Sequence, residues 1–156
     1  MPKLDKIDRA IVTQLQNEAR TTNVDLADRV ALSPSPCLRR VRNLEDAGVI
    51  RGYHAEIDRL AVGLELTVFV AFKVVRHTRE NAQELQQALI ALPEVVSCFM
   101  ISGESDFLAE VVVENLAAYE ALLTEKLLTL PQVTDIRSNF AIRTIKTGGL
   151  LKLPEA

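Results

Sequence analysis

The sequence predicts an α+β fold in two parts, a bundle of three short helices followed by a four-stranded sheet with two helices. Three observations support this prediction. The first sixty residues contain apolar residues at the three- and four-residue steps of helices. The remainder alternates Val- and Phe-rich segments with helical spacing, in the order β-α-β-β-α-β. The tetrapeptide LPEV at 92–95 recurs as LPQV at 130–133, each between a helix and a strand, as expected of two related halves. We therefore predict domains at 1–60 and 61–156.

The composition excludes several classes of protein. A chain of 156 residues that is 48% hydrophobic can bury a core, yet no apolar run approaches the roughly 18 residues of a membrane span. The first residues, MPKLDKID, lack the apolar region of a signal peptide, so we expect a cytosolic protein without a membrane anchor. Cys37 and Cys98 form no C-x-x-C pair and His54 and His77 are the only histidines, so neither a metal site nor a bound cofactor is expected.

The net charge of −3 hides an asymmetry along the chain. Residues 1–60 hold ten Lys and Arg against nine Asp and Glu, or +1, whereas residues 61–156 hold eight against twelve, or −4. Between Arg29 and Asn43 the sequence has four arginines and no acid. A local basic patch of this kind matters more to a polyanionic partner than the total charge does.

Two amphipathic helices are predicted before residue 31. The stripe of the first is formed by Leu4, Ile7, Ile11 and Leu15. Asp5 and Asp8 suit the positive end of that helix's dipole. The second helix begins at Thr22, which with Asp25 resembles a capping box, and its stripe is formed by Val24, Ala27 and Val30.

A third helix is predicted over 34–47, within LSPSPCLRRVRNLEDAG. Proline costs little in a first helical turn, so Ser33 can cap with Pro34 next; Ser35 with Pro36 is the alternative. The inward stripe is predicted to be Leu38, Val41 and Leu44. The outward face is predicted to be Pro36, Arg39, Arg40 and Asn43, with Arg42 on its flank. Gly48 ends the helix.

Three helices in this order, the third presenting arginines, predict a helix-turn-helix that places residues 34–47 in the major groove of DNA. There, Arg can bind guanine and Asn can bind adenine, while the serines and free N–H groups at the helix start can hold a phosphate. A small bundle with a solvated basic face is the alternative. The following segment, VIRGYHAEID, is predicted to form a short strand or wing.

In residues 61–156 the sequence predicts strands at 66–75, 95–102, 107–114 and 133–146 and helices at 80–92 and 115–130. Elements in this order form a ferredoxin-like sandwich. Both helices of such a fold cover one face of the sheet. The apolar runs Val68–Phe72 and Val111–Val113 do not alternate, which predicts an uncovered apolar face. We expect a second subunit on it, so that Val70→Glu breaks the assembly; coverage by the N-terminal domain is the alternative.

The loop SGESDF, residues 102–107, joins the two middle strands. Gly103 permits a tight backbone, and Ser102, Glu104 and Asp106 gather polar groups at one end of the sheet. This pattern is compatible with a small-molecule site and equally with an ordinary turn.

The motifs LDKIDRAIVTQLQNEAR, LSPSPCLRRVRNLEDAGVIRGY and ISGESDFLAEVVV resemble, in order, those of the Lrp/AsnC (leucine-responsive, feast/famine) transcriptional regulators. The resemblance spans about residues 4 to 154. It implies a winged helix-turn-helix followed by a ligand-binding (RAM) domain of β-α-β-β-α-β order. It also implies homodimers that assemble further, commonly as a tetramer of dimers, with amino-acid effectors bound where dimers meet.

Carried over to this sequence, the resemblance implies two sets of residues. The DNA-binding set is Ser33, Ser35, Pro36, Arg39, Arg40, Arg42 and Asn43. The effector-binding set is Met100, Ser102, Gly103, Glu104 and Asp106, with Ser138, Asn139 and Phe140 contributed by a neighbouring dimer. Many members carry T-x-T early in the last strand, where this sequence has Ile136-Arg137-Ser138. Apolar Met100 and Phe140 favour a leucine- or methionine-like effector, and Asp106 is expected to pair with its ammonium group.

The sequence therefore predicts a regulator that binds double-stranded DNA under the control of a small amino acid. Two other functions stay open at this point. One is an architectural DNA-binding protein that only oligomerises. The other is an enzyme, or a regulatory subunit of one, in amino-acid metabolism. The sequence contains no recognisable nucleophile–base pair or metal cluster, so catalysis is not expected.

Overall fold

The computed structural model describes residues 3–75 and 78–154, so His77 lies outside the described residues. The described chain forms two units, one of 3–56 with 146–154 and the other Ile57–Ile145. This division differs from the predicted domains, because residues 146–154 pack with the first unit. The Gln16 amide donates to Leu151 O at 3.3 Å and accepts from Leu151 N at 2.7 Å, and the Arg9 guanidinium donates to Pro154 O. Such contacts join distant parts of the chain and leave no local signal in the sequence.

The first unit contains three helices, α1 (Lys6–Asn17), α2 (Asn23–Arg29) and α3 (Pro34–Asp46). Helix α1 begins in a reciprocal capping box: Asp8 N donates to the Asp5 carboxylate at 2.8 Å, and Asp5 N donates to the Asp8 carboxylate at 3.2 Å. The predicted cap of α2 is confirmed, because Asp25 N donates to Thr22 Oγ1 at 3.1 Å. Helix propensity and capping thus fix the starts of both helices locally.

The core of the first unit corrects the predicted inward stripe of α3. Cys37 is fully buried and Leu44 nearly so, whereas Leu38 is 39% exposed. Steps of three residues drift by about 60° each around a helix, so 38, 41 and 44 spread over a wide arc. Residues 37, 41 and 44 lie close to one line, and Cys is small and apolar enough to occupy its buried end. The other buried side chains are Ile11, Leu26, Ala27 and Val30.

The segment VIRGYHAEID does not form the predicted short strand, because residues 51–58 have no regular secondary structure. All of residues 51–58 are exposed, including Tyr53 and Ile57. A strand needs a neighbouring strand to pair its backbone groups. Partial alternation of apolar and polar residues predicts an extended segment but does not supply that neighbour.

The second unit contains a short 3₁₀ turn at Leu60–Val62 ahead of its first strand, and it confirms the predicted β-α-β-β-α-β order. Its elements are β1 (Leu66–Val74), α4 (Arg79–Ile90), β2 (Val95–Met100), β3 (Phe107–Val113), α5 (Leu116–Leu122) and β4 (Val133–Phe140). Helix α5 continues into a π-helical turn at Leu123–Leu127, so the helix predicted over 115–130 is not regular throughout. Strand β4 ends six residues before the predicted end at 146.

The four strands form one antiparallel sheet in the order β2-β3-β1-β4. The two related tetrapeptides form the same turn, because Val95 N donates to Leu92 O and Val133 N donates to Leu130 O, each at 3.1 Å. The sequence repeat therefore marks a structural repeat, and the predicted relationship between the two halves is confirmed at these positions.

Helices α4 and α5 pack on one face of the sheet. The core between them includes Val68, Val70, Phe72 and Val74 of β1, together with Leu85, Leu89, Tyr119 and Leu122. Strand β1 does alternate in burial, with Phe69 40% exposed and Lys73 exposed on the opposite face. The placement of Val70 on the uncovered face is therefore wrong: it is fully buried beneath the helices. A run of apolar letters cannot by itself show which residues face the helices.

The opposite face of the sheet is partly polar. Arg59 donates to the Glu110 carboxylate at 2.8 Å and to Thr67 Oγ1 at 3.2 Å, and Ser97 Oγ donates to the same carboxylate at 3.0 Å. Exposed aromatic surface lies on the same face, where Phe99 is 58% exposed. The uncovered apolar area is therefore smaller than the sequence predicts. Among residues 3–75 and 78–154, no helix combines the length and apolar composition needed to cross a bilayer.

Candidate functional site

Ser33 is the N-cap residue of helix α3, as predicted, and Pro34 is its first helical residue. The Ser33 side chain makes no capping hydrogen bond, so the residue takes the cap conformation (φ −78°, ψ 154°) without using its hydroxyl. Asn23, the first residue of α2, instead donates its side-chain amide to Pro34 O at 2.9 Å. This bond fixes the start of α3 against α2. The sequence indicated no such role for Asn23, since its partner is eleven residues away.

The predicted DNA-binding residues divide into two groups in the structure. Exposed on α3 and its cap are Ser33, Ser35, Arg39, Arg42 and Asn43, while Pro36 is half-buried. Arg39 and Asn43 line an open cavity of about 330 Å³ together with Lys3, Arg40 and Asp8. This wall combines cations and one carboxylate with an amide that can donate and accept. Cations and amides are groups that bind phosphates and base edges.

Arg40 is partly exposed at the same cavity, but its guanidinium is paired within the chain. Its Nη1 donates to Asp5 Oδ2 and to Asp8 Oδ1, each at 2.7 Å, and its side chain is 31% exposed. The hydrogen bond from Asp8 N, and then the one from Arg40, lower the pKa of Asp5 below its ordinary value of 3.8. The same carboxylates raise the pKa of Arg40. The acidic residues lie more than thirty positions from Arg40, so the sequence alone does not reveal this pairing.

The loop between β2 and β3 is fastened to the end of β1 through Asp106. Asp106 N donates to Phe72 O at 2.9 Å, and Val74 N donates to the Asp106 carboxylate at 2.8 Å. Ile101 N closes the loop by donating to Asp106 O at 2.9 Å. Gly103 has φ +122°, a conformation that favours glycine. Asp106 therefore has a structural role as a hydrogen-bond acceptor whatever else it binds.

A second open cavity, of about 400 Å³, adjoins this loop. Its lining is Val74, Thr78, Arg79, Ala82, Met100, Ile101, Asp106 and Phe107. Two predicted effector residues, Met100 and Asp106, thus lie on one cavity, whereas Ser102, Gly103 and Glu104 are exposed outside its lining. The cavity joins an apolar wall to a carboxylate and to the guanidinium of Arg79. Arg79 was not predicted, although its place directly after the Thr78 cap of α4 is visible in the sequence.

The predicted residues of β4 point to both faces of the sheet. Ser138 and Phe140 contact Tyr119 on the helix-covered face: the Tyr119 and Ser138 hydroxyls are 2.5 Å apart, and the rings of Tyr119 and Phe140 meet edge to face at 5.5 Å. Asn139 lies on the opposite face and donates its side-chain amide to Phe69 O at 3.4 Å. None of the three lines the 400 Å³ cavity of its own chain.

Arg137, also on β4, was not predicted as a site residue. It pairs with Glu104 of the loop at 2.7 Å and with Asp135 at 3.3 Å. The Glu104 carboxylate, followed by Asp135, raises the pKa of Arg137. Both partners are well exposed, so the pair contributes little to stability. Among the described residues, no cluster of three or more His, Cys, Asp or Glu could hold a metal ion.

A helix-turn-helix with an exposed cationic face, joined to an α+β unit with a small cavity, defines a DNA-binding transcriptional regulator with a ligand-binding domain. Residues 4–51 match the model of a winged helix-turn-helix DNA-binding domain, and residues 67–151 match the Lrp/AsnC ligand-binding domain. The chain belongs to the Lrp/AsnC family of transcriptional regulators, a family of regulators and not of enzymes.

Similar proteins span nearly the whole chain. A leucine-responsive regulatory protein of Rhizobium meliloti is 42% identical over 144 residues, covering 92% of each chain. A transcriptional regulator from Neisseria meningitidis, solved as a complex with L-Met, is 39% identical with a TM-score of 0.87, covering 93% of this chain and 94% of that one. An AsnC family regulator from Agrobacterium tumefaciens is 35% identical with a TM-score of 0.89, covering 96% and 97%.

Proposed function

We propose that this regulator binds specific DNA sequences through α3, and that a leucine- or methionine-like amino acid modulates its DNA binding or its assembly. One observation carries the effector proposal: the 400 Å³ cavity combines apolar walls with the carboxylate of Asp106 and the guanidinium of Arg79. An apolar amino acid presents an ammonium group, a carboxylate and an apolar side chain, so its chemistry matches this lining. The L-Met bound to the Neisseria meningitidis regulator supports the same ligand class.

In the DNA-binding unit, we assign base readout to Arg39 and Asn43 because both are exposed and line one cavity. Arg42, Ser33 and Ser35 are suited to phosphate contacts, and Pro36 stiffens the first turn. Arg40 belongs to the DNA-binding set that the family resemblance implies, but its pairing with Asp5 and Asp8 supports a bracing role instead. A regulator of this kind acts where the chromosome is, in the bacterial or archaeal cytosol.

In the ligand-binding unit, we assign Met100 to the effector's side chain and Asp106 to its ammonium group. Ser102, Gly103 and Glu104 are exposed on the loop beside the cavity, where they are accessible to a second subunit. Ser138, Asn139 and Phe140 are proposed to complete the site of a neighbouring dimer. The Tyr119 contacts leave Phe140 47% exposed, which supports a role for its ring at such a junction.

We propose that the exposed sheet face forms the homodimer, with dimers assembling further into a tetramer of dimers. Phe69 and Phe99 supply exposed aromatic surface, and the Arg59–Glu110 network supplies a polar centre that can fix the register of two copies.

Fluorescence anisotropy tests the proposal as a whole. A duplex selected from a random pool is titrated at several salt concentrations, with and without each of the twenty amino acids. We expect salt-dependent affinity that an apolar amino acid changes and a charged one does not. Calorimetry identifies the effector directly. Affinity for DNA that no amino acid alters would instead favour an architectural protein.

The assignment on α3 has its own test. Losing one bidentate base contact costs roughly 1–3 kcal/mol on the preferred site. Arg39→Ala and Asn43→Ala should each weaken the selected duplex more than a scrambled one. If both variants bound the selected duplex like the parent protein, readout would have to be assigned elsewhere.

A further inference from the structure

The Arg40 contacts connect the third helix to the first capping box. One guanidinium nitrogen lies 2.7 Å from a carboxylate oxygen of Asp5 and 2.7 Å from one of Asp8. The Asp8 side chain is 18% exposed and that of Asp5 is 50% exposed. Both acids are already oriented by the reciprocal bonds of the capping box, so they hold Arg40 in a defined place. Arg40 is thereby fixed to α1 at the wall where Arg39 and Asn43 are exposed.

This cluster changes the charge that a polyanion meets. Arg40 contributes +1 and the two carboxylates −2, which leaves −1 beside Arg39 and Asn43. A phosphate backbone that approaches without base contacts therefore meets repulsion from Asp5 and Asp8 as well as attraction from Arg39 and Lys3. Like charges placed against a wrong partner raise specificity, because discrimination is a difference between two affinities.

We propose that Asp5 and Asp8 act as a specificity filter of the DNA-binding surface, and that Arg40 is a positioning residue that does not contact DNA. The carboxylates weaken binding to duplex lacking the preferred sequence, while Arg40 holds α3 in register so that Arg39 and Asn43 reach the bases of the preferred one. The inference rests on the DNA readout proposed above.

The experiment compares a duplex selected from a random pool with a scrambled duplex, using anisotropy at three salt concentrations. We expect Asp8→Asn to raise affinity for the scrambled duplex about three- to tenfold and to raise affinity for the selected duplex less. Asp5→Asn, which keeps a good capping residue, should act in the same direction. The matched control is Asp46→Asn, which removes one exposed charge at the other end of α3 and should change both affinities only slightly and equally.

Arg40 is tested through the salt dependence. Each lost phosphate contact reduces the slope of log K against log salt by about 0.9. Arg40→Met should leave the slope on scrambled duplex unchanged and weaken binding to the selected duplex, and Arg40→Lys should restore part of that binding. Arg42→Met, which removes a proposed phosphate contact, serves as the control that reduces the slope. Melting curves of every variant verify that it folds.

Two results would overturn the filter. One is an Asp8→Asn protein whose affinity for scrambled duplex rises no more than that of Asp46→Asn. The other is an Arg40→Met protein that loses as much salt slope as Arg42→Met. Failure of the underlying function is distinguishable, because Arg39→Ala and Arg42→Met would then leave binding to both duplexes unchanged whatever the Asp8 result.

Discussion

Tyr119 on α5 and Ser138 on β4 are joined by a hydrogen bond of 2.5 Å between their hydroxyl oxygens. Tyr119 is 2% exposed and Ser138 is half-buried, so this bond ties the second helix of the ligand-binding unit to its edge strand. The sequence suggested only an effector contact for Ser138. The structure adds a partner within the same unit, so that a change at Ser138 affects packing before it affects any ligand.

Tyr119→Phe should lower the free energy of unfolding by about 0.5–1.5 kcal/mol, because it removes a buried hydrogen bond while keeping the ring. Tyr53→Phe is the matched control. It also removes a tyrosine hydrogen bond, the one to Glu45 at 2.9 Å, but Tyr53 is 46% exposed. Urea unfolding of the two variants measures the difference. Equal stabilities would contradict the role assigned to the Tyr119–Ser138 bond.

Both tyrosines should ionise at a higher pH than a free tyrosine does. Desolvation by partial burial, followed by the hydrogen bond to the Glu45 carboxylate, raises the pKa of Tyr53 from 10.0 to about 12, and burial raises the pKa of Tyr119. A raised pKa in the folded state contributes stability below the unfolded pKa of 10.0 that is lost as the pH rises toward the folded pKa. Ultraviolet titration of phenolate should therefore give a midpoint above 10.0 for each tyrosine as long as the protein stays folded. Ionisation of either tyrosine at or below its ordinary pKa in folded protein would contradict this expectation.

Charges placed on the two faces of the sheet should have different effects. Phe99→Glu puts a charge on the exposed face and should yield folded protein with a smaller mass by light scattering. Val70→Glu buries a charge beneath the helices and should prevent folding, which circular dichroism detects. A Phe99→Glu protein with unchanged mass would show that this face is not the interface.

Asp106→Asn should weaken effector binding about ten- to a hundredfold, because a charge-assisted contact is worth roughly 1.5–3 kcal/mol. The asparagine oxygen can still accept from Val74 N, so the melting temperature without effector should barely change. Calorimetry measures the affinity. Undiminished affinity in a well-folded variant would show that the carboxylate does not bind the effector's ammonium group.

Those features that depend on neighbours in the sequence could be predicted. The Thr22 cap and the LPEV and LPQV turns involve residues within four positions of one another. The order of strands and helices could be predicted because each element has its own apolar spacing. Of the candidate site, the exposure of Arg39 and Asn43 on a capped helix also followed from helical spacing.

Features that depend on distant contacts could not be predicted. Arg40 is held by carboxylates encoded more than thirty residues earlier, and the burial of Cys37 in place of Leu38 depends on how α3 is rotated against its neighbours. The face on which Val70 lies is likewise decided by helices that follow it in the chain. An apolar residue type indicates a preference for burial, but it does not show which face of the sheet or helix the side chain occupies.

The hydrogen bonds between Gln16 and the backbone of Leu151 have a consequence for biosynthesis. Helices α1 to α3 leave the ribosome first, but the segment that packs against α1 is translated only after the whole of Ile57–Ile145. The ligand-binding unit is thus an insertion within the DNA-binding unit and can complete its own sheet earlier. A nascent chain can therefore complete its ligand-binding unit before its DNA-binding unit.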